Sequence, residues 1–505
     1  MSQLISNLSQ LTQDAIDAFR AAAQAPAPEI TDDLRKSGIT QSTGLTGYDL
    51  QAPAKQMIPV LTPLRNSIPR VSGGGGTATH WKAVTQINAG KLRGFVPEGK
   101  RNGLVQTTVV PKSAEYKTLG LDDAVTIEAE LAARGFEDVR STQAQRQLWA
   151  VMIEEELADL GANGSMLLGT PAAPTVLVTD ADGGSIAEDA GGYSCRVVAL
   201  TLYGYLASSL ADGIVQQVTV TNPANTVFTY GGGSSQKSAA TLSGATSGGA
   251  STLKLSTPVV PGAVAYAWFV GPHDGDVTLQ AITTLNSVKL TSLSTDKQNV
   301  NAISGDFSKN ELAYDGLLYQ AWASGSNAYI KNMATGAPGI GTGLTADNAG
   351  GIVEIDEALE SMWSNYKLGP DTIWVNAREA KNITKKLLGG TGVNYNIALN
   401  QGQPFTAGAV VARYLNKFSM GSESFVDIKV HPFLPPGLML GNLAQLPYPV
   451  NNVPNVVEKR LRRDYYQIEW PMRERRYETG VYLDGVLAVF APFTLMVLGN
   501  IGGGD

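Results

Sequence analysis

Thr79-His80-Trp81-Lys82-Ala83-Val84-Thr85-Gln86-Ile87-Asn88, answered by Val105-Gln106-Thr107-Thr108-Val109-Val110 and running on to Lys117, is the stretch on which the fold turns. Both legs are rich in β-branched and aromatic residues and the connection between them is glycine-bearing and basic, so the pattern predicts a long two-stranded ribbon. Such a ribbon is marginal in water by itself; its apolar residues and open edges need a surface, from the rest of the chain or from a neighbour. The flanking sequence suits a neighbour, since an extended proline-bearing arm precedes the ribbon and a capped helix follows it.

Upstream, Leu4, Leu8, Leu11, Ala15 and Phe19 recur at helical spacing, which predicts a short amphipathic helix ending in the alanine-proline stretch Ala21 to Pro28. From Glu29 to Pro69 the periodicity fades, and Pro53, Pro59, Pro63 and Pro69 favour an extended arm that cannot enter a central sheet. Met57-Ile58-Pro59-Val60-Leu61 and Leu64 are more apolar than a solvated tail requires. Gly73 to Gly76 reads as a pivot; no Gly-Lys-Ser/Thr ending follows that would make it a phosphate cradle. The ribbon carries Lys82, Lys91, Arg93, Lys100, Arg101, Lys112 and Lys117 against Glu98 and Glu115.

Downstream, Thr142-Gln143-Ala144-Gln145 matches a capping box and opens a long helix closed by Gly161, with Ala144, Leu148, Val151, Met152, Leu157 and Leu160 on one face. Glu154, Glu155, Glu156 and Asp159 are expected on the other, either solvated or lying under the basic ribbon of a neighbour. From Pro174 to about Ala302 the composition becomes rich in Gly, Ser, Thr, Ala and Val and poor in charge. Strands are expected at Cys195 to Leu202, Ile214 to Thr221, Leu253 to Leu255, Ala263 to Val270 and Ser287 to Leu293, as in a small sandwich whose core strand Pro261 to Gly271 resembles those of immunoglobulin-like or fibronectin-like domains. Thereafter Thr345 caps a helix bearing Ile352, Ile355, Leu359, Met362 and Tyr366, Thr372 to Val375 reads as a buried strand, and Asn376 with Glu379 opens another helix. A second hairpin pairs Ala409 to Leu415 with Phe425 to His431, and Val486 to Leu498 reads as one apolar strand returning to the long helix.

Of the 505 residues, 43% are hydrophobic and 16% charged, enough for several cores. No run approaches the ~18 apolar residues of a membrane helix, and no secretory signal pattern opens the chain, so use in a cytoplasm is expected. A net charge of −7 argues against a general nucleic-acid binder. The lone Cys195 excludes an internal disulfide and reads as a small packed side chain. His80, His273 and His431 stand far apart, so zinc and Cys-His patterns fail and each reads as an ordinary strand or turn residue. There is no Gly-x-Ser-x-Gly elbow; Gly336 to Gly343 has the wrong spacing for a dinucleotide loop; and Asp122-Asp123 and Asp180 with Asp182 are explained by turns. No cofactor and no catalysis are expected. Arg460, Arg462, Arg463, Arg473, Arg475 and Arg476, interleaved with Tyr465, Tyr466, Trp470 and Tyr477 and with Glu458, Asp464, Glu469, Glu474 and Glu478, point to intersubunit ion pairing rather than nucleic acid.

Arm, basic ribbon, long helix, compact α/β unit and returning strand, in that order, resemble the major capsid proteins of tailed bacteriophages. The resemblance rests on Pro59 to Arg70 for the arm, Thr77 to Thr118 for the extended loop called the E-loop, Ser141 to Gly161 for the spine helix, Gly343-Leu344-Thr345 with Ile352 to Trp363 and Pro370 to Asn376 for the axial domain, and Val481 to Asn500 for the last peripheral strand. It implies an α+β, Hong Kong 97-like fold with an arm at 1–70, an E-loop at 71–125, a peripheral domain with the spine at 126–173, an inserted immunoglobulin-like β-domain at 174–302, a connection at 303–344, an axial domain at 345–455 and C-terminal peripheral strands at 456–505. It also implies hexamers and pentamers closing an icosahedral shell around double-stranded DNA, touched without sequence specificity, in a virion assembled in a bacterial cytoplasm without a membrane partner. The absence of a long helical prodomain implies a separate scaffold, or none, and scaffold, portal and decoration proteins are the candidate partners. Intersubunit contacts are expected at Lys82, Lys91, Arg93, Lys100, Arg101, Lys112, Glu154, Glu155, Asp159, Arg460, Arg462, Arg463, Arg473, Arg475 and Arg476. The alternatives are an enzyme or binding protein with an immunoglobulin-like carbohydrate-binding module, and a phage tail tube or sheath protein.

Overall fold

The computed structural model describes residues 60–87, 95–101, 107–133, 138–180, 182–247, 250–347, 350–388, 412–418, 425–447 and 455–503. The helix expected over Leu4 to Phe19, the arm before Val60, and Lys91 and Arg93 lie outside them.

Helix α1 (Pro63–Ser67) and strand β1 (Arg70–Ser72) lead into the ribbon, β2 (Ala78–Ile87) and β3 (Thr107–Glu115). These pair antiparallel from Ala78↔Glu115 to Ile87↔Thr107, with a bulge between Val84 and Gln86. Next come β4 (Lys117–Thr126), α2 (Ile127–Ala132) and the long α3 (Val139–Gly161). α3 starts one turn earlier than the capping-box reading places it, because Asp138 is the cap: its carboxylate accepts from Ser141 N at 3.1 Å, while the Thr142 hydroxyl donates to Asp138 O. The closing glycine is required by packing, since a Cβ on Gly161 would sit 2.6 Å from the Leu202 side chain.

The strand-rich middle runs β5 (Thr175–Thr179), β6 (Tyr193–Leu200), α4 (Leu202–Ala207), β7 (Val218–Thr221), β8 (Val227–Tyr230), β9 (Thr241–Leu242), β10 (Thr252–Ser256), β11 (Ala265–Pro272), β12 (Thr278–Thr283) and β13 (Ser287–Leu290). A three-stranded sheet, β13-β10-β5, faces a four-stranded one, β12-β11-β6-β9, across Cys195, Val197, Leu253, Leu255, Tyr266, Trp268 and Val288. The far face of the larger sheet is also covered, by Ile214, Val300 and Ile303 against Val198, Ala267 and Phe269, which is why β6 and β11 read as near-continuous apolar runs. Two expected strands have other bounds: β6 is shifted two residues toward the N-terminus and β7 is shorter. Thr201 ends β6 by capping α4 through Gly204 N at 2.9 Å, and β7 begins only at Val218.

α5 (Leu317–Trp322), β14 (Tyr329–Asn332), α6 (Val353–Tyr366), β15 (Thr372–Val375), α7 (Ala377–Leu388), β16 (Arg413–Leu415), β17 (Phe425–Val430), β18 (Met439–Asn442), β19 (Val457–Glu469), β20 (Arg476–Val489) and β21 (Met496–Gly499) complete the chain. Six of these strands form one sheet, β14-β21-β18-β15-β17-β16, packed on α5 and α6 in the largest core. The cap of α6 is Ile352 rather than Thr345; Glu354 reaches back to Thr345 N at 2.9 Å. Asn376 caps as expected, accepting from Arg378 N at 2.9 Å. The expected single strand Val486 to Leu498 is two. Pro492 opens a 3-10 turn, Pro492–Thr494, that ends β20 in a four-stranded sheet, β1-β19-β20-β4, and hands the chain to β21 in the six-stranded one. α3 lies on the four-stranded sheet through Leu148, Val151, Leu119, Leu121, Leu461, Val481 and Leu483. With helices and mixed sheets interleaved, the class is α+β.

Candidate assembly surfaces

The ribbon is rooted through one strand and bare along the other. Trp81 and Ala83 pack on Ala488 and Phe490, the Trp81 indole donates to Val489 O at 3.0 Å, Val84 N donates to Phe490 O at 2.8 Å, and Asn327 Nδ2 donates to Thr85 O at 2.7 Å. Opposite this root Val109 and Val110, the cross-strand partners of Val84 and Ala83, stay 40% and 38% exposed, and Phe95 and Val96 of the connection are 101% and 42% exposed. Lys82, Lys100 and Arg101 are exposed and Lys112 half-buried, and none of the four has an ion pair among the described residues. β2 thus seats the ribbon on the subunit, while Val109 and Val110 of β3 and the exposed cations stay uncovered within the chain.

The acids of α3 do not face outward to receive such a ribbon. Glu155, Glu156 and Asp159 are buried within the subunit, and the expectation that Glu155 and Asp159 meet a neighbour is corrected by their intrachain partners. Glu156 accepts the backbone N–H of Leu64 at 2.9 Å and of Arg65 at 2.6 Å, the otherwise unpaired amides at the start of α1. His431, which sequence reading treats as ordinary, is buried with Nε2 at 2.7 Å from Glu156 Oε1 while Nδ1 accepts from Phe433 N. Glu155 accepts from Arg65 at 3.0 Å, from Arg70 at 2.8 Å and from the Tyr465 hydroxyl. Lys459 donates to Asp159 at 2.6 Å and to Tyr314, whose hydroxyl also donates to Asp159 at 2.7 Å. Three elements distant in sequence, the end of the arm, α3 and β19, are thereby tied by one buried charge network.

Its electrostatics follow from burial against pairing. Burial opposes the charge on Glu155, but Lys459 and Arg70 outweigh it and hold this carboxyl below its ordinary range. For Asp159 burial wins over Lys459, with Glu155 adding to it, and the carboxyl is pushed up to about 6. Glu154 points elsewhere: Tyr203 donates to its Oε1 at 3.2 Å, its Oε2 is covered without a partner among the described residues, and burial pushes it up to about 7.

Of the basic strip, most residues are also satisfied within the chain. Arg460 lies 3.6 Å from Glu458, Arg462 3.1 Å from Asp484, Arg475 3.0 Å from Glu128 and Arg476 2.7 Å from Glu478, while Arg463 stacks 4.0 Å over the Tyr466 ring. Like Arg463, Arg473 has no ion pair among the described residues, and it lies in the β19–β20 turn with Trp470 and Met472, 42% and 52% exposed. Among the described residues no group of His, Cys, Asp and Glu is arranged to hold a metal. Cys195 is buried, and burial pushes its thiol up to about 12.

No protein-family model matches the chain, and no curated protein matches it. Among solved structures it is similar to the capsid asymmetric unit of cyanophage A-1(L), 11% identical over 92% of this chain and 99% of that one, with a TM-score of 0.40. It is similar to the capsid of a native GTA particle, 8% identical over 92% and 99% with a TM-score of 0.41. A third is the holo-SrpI encapsulin complex from Synechococcus elongatus, 10% identical over 94% and 97% with a TM-score of 0.34. The solved structures similar to this chain over nearly its whole length thus include phage capsid proteins, at identities and TM-scores too low to carry fold or function by themselves.

Proposed function

We propose that this chain is the major capsid protein of a tailed bacteriophage, a non-enzymatic subunit whose copies form the hexamers and pentamers of an icosahedral shell around double-stranded DNA. In this reading the fold is Hong Kong 97-like: the β2–β3 ribbon is the E-loop, α3 the spine helix, the four-stranded sheet the peripheral domain, the six-stranded sheet with α6 and α7 the axial domain, and the two facing sheets of the middle an inserted β-domain. The observation that carries it is the ribbon, anchored by Trp81 yet bare at Val109, Val110 and Phe95 and bearing unpaired Lys82, Lys100 and Arg101, a surface that a second copy is suited to cover. Intersubunit contact is assigned to Lys82, Lys100, Arg101, Lys112 and Arg473, and scaffold, portal and decoration proteins are the further partners.

Negative-stain microscopy and sedimentation of the purified chain test the proposal. Shells, hexamers or pentamers are expected. A stable monomer at high concentration, a small closed oligomer such as an enzyme forms, or filaments such as a tail tube forms would each overturn it.

A further inference from the structure

One cluster inside the subunit holds a primary amine and a carboxyl in direct contact and out of solvent. Lys459 of β19 and Asp159 of α3 are each 1% exposed, and Glu155 and Tyr314 beside them are buried as well. Lys459 Nζ lies 2.6 Å from Asp159 Oδ1 and 3.6 Å from Glu155 Oε1. The Tyr314 hydroxyl bridges the pair, accepting from Nζ and donating to the same Oδ1 at 2.7 Å. Adding one C–O bond length to the 2.6 Å contact puts Asp159 Cγ no more than ~3.8 Å from Nζ, close to the ~3–3.5 Å at which two reacting atoms are held for attack.

Burial disfavours both charges of such a pair, and it raises the Asp159 carboxyl to about 6. Passage of one ammonium proton across the 2.6 Å contact leaves an amine beside a carboxylic acid. We propose that Lys459 and Asp159 join in an isopeptide bond, a modification the folded subunit makes on itself. Nζ bonds to Cγ and the bond from Cγ to Oδ1 breaks. Tyr314 takes a second proton from the attacking nitrogen and passes its own to Oδ1, which departs as water. Of the three ammonium protons two leave in that water and one stays on the amide, so no further reagent is consumed. Glu155, held ionised by Lys459 and Arg70, steadies the positive charge that the nitrogen carries as the new bond forms. A site closed to solvent favours the product, because ligation removes two charges that burial penalises. The ion pair is the reactant state, and ligation takes Asp159 out of the subunit's titration. The product ties α3 to β19 across 300 positions and does not depend on shell formation.

Intact-mass spectrometry of the full chain, incubated folded and then denatured, tests this. A mass lower by one water is expected, together with a proteolytic species that links the peptides carrying Asp159 and Lys459. Lys459→Arg is expected to keep its full mass, and Asp159→Asn to lose ammonia in place of water. Tyr314→Phe is expected to lose water about a hundredfold more slowly than the parent, with an unchanged circular dichroism spectrum. A parent chain that stays folded through the incubation and keeps its full mass overturns the proposal and leaves the cluster an ion pair. Loss of water without the linked peptides overturns it too, since that marks dehydration elsewhere in the chain. Either result stands whether or not the chain forms shells.

Discussion

At the residue scale, the network around Lys459 is the arrangement whose loss costs most. Lys459, Glu155 and Asp159 are each almost wholly buried, so removing the ammonium leaves carboxylates with neither water nor a full set of counter-ions. Lys459→Met is expected to lower the unfolding free energy by about 3–5 kcal/mol, read as a shift of the urea midpoint at constant slope. The pH dependence has two limbs. Glu154 and Asp159, raised to about 7 and about 6, hold protons in the folded chain where the unfolded chain has released them, so stability falls as pH rises through those values. Glu155 runs the other way: its folded value is depressed, so its contribution is complete above the unfolded value of about 4.3 and is lost as pH falls through the folded one. A maximum near about pH 4 is therefore expected, and Glu154→Gln should flatten the fall between about pH 4.5 and 7. Urea midpoints across that range check it; an unaltered slope in the variant would show that Glu154 does not titrate there.

At the element scale, one side chain contributes twice to the root of the ribbon. Trp81 supplies both apolar contact with Phe490 and the bond to Val489 O, and its truncation weakens that root while the six-stranded sheet and the sandwich do not rest on it. Trp81→Ala is expected to cost about 3–5 kcal/mol locally, so that limited proteolysis cuts within 78–115 far faster while the circular dichroism and main melting transition barely move. Elements also show where pattern reading stops. The ribbon is legible because alternation and β-branched composition are properties of contiguous residues. α3 is legible as a helix, yet its buried face is misread: Gln143, Gln147, Glu155 and Asp159 are inside, with Gln147 donating to Thr479 O at 2.7 Å. Hydrophobic periodicity assigns polar residues to water, and it fails where they are buried against partners hundreds of positions away.

At the scale of the whole molecule, the cations left unpaired within one subunit are those available to another. Lys100→Glu/Arg101→Glu is expected to abolish shell formation or to invert its salt dependence, while the subunit melts as before within about 0.5 kcal/mol, because both residues are exposed and have no ion pair among the described residues. Light scattering across a salt series together with a thermal melt separates the two effects; unaltered assembly would remove this ribbon tip from the interface. Arg460, Arg462, Arg475 and Arg476 read as surface charges in the sequence yet are largely satisfied at home: Glu458 and Glu478 lie two residues along the same strands as Arg460 and Arg476, Asp484 comes from the neighbouring strand and Glu128 from α2.

By itself the sequence determined the ribbon, the long helix, the strand-rich middle and the helix opened by Asn376, since each rests on periodicity and turn chemistry within a few residues. Only the tertiary structure decided which charges are spent inside the subunit. Arg65, Arg70, Glu155, Asp159, His431 and Lys459 lie up to hundreds of residues apart, and no local pattern brings them together. The break at Pro492, which splits one apolar run between two sheets, was likewise fixed by packing, because a run of apolar residues records burial but not which sheet buries it.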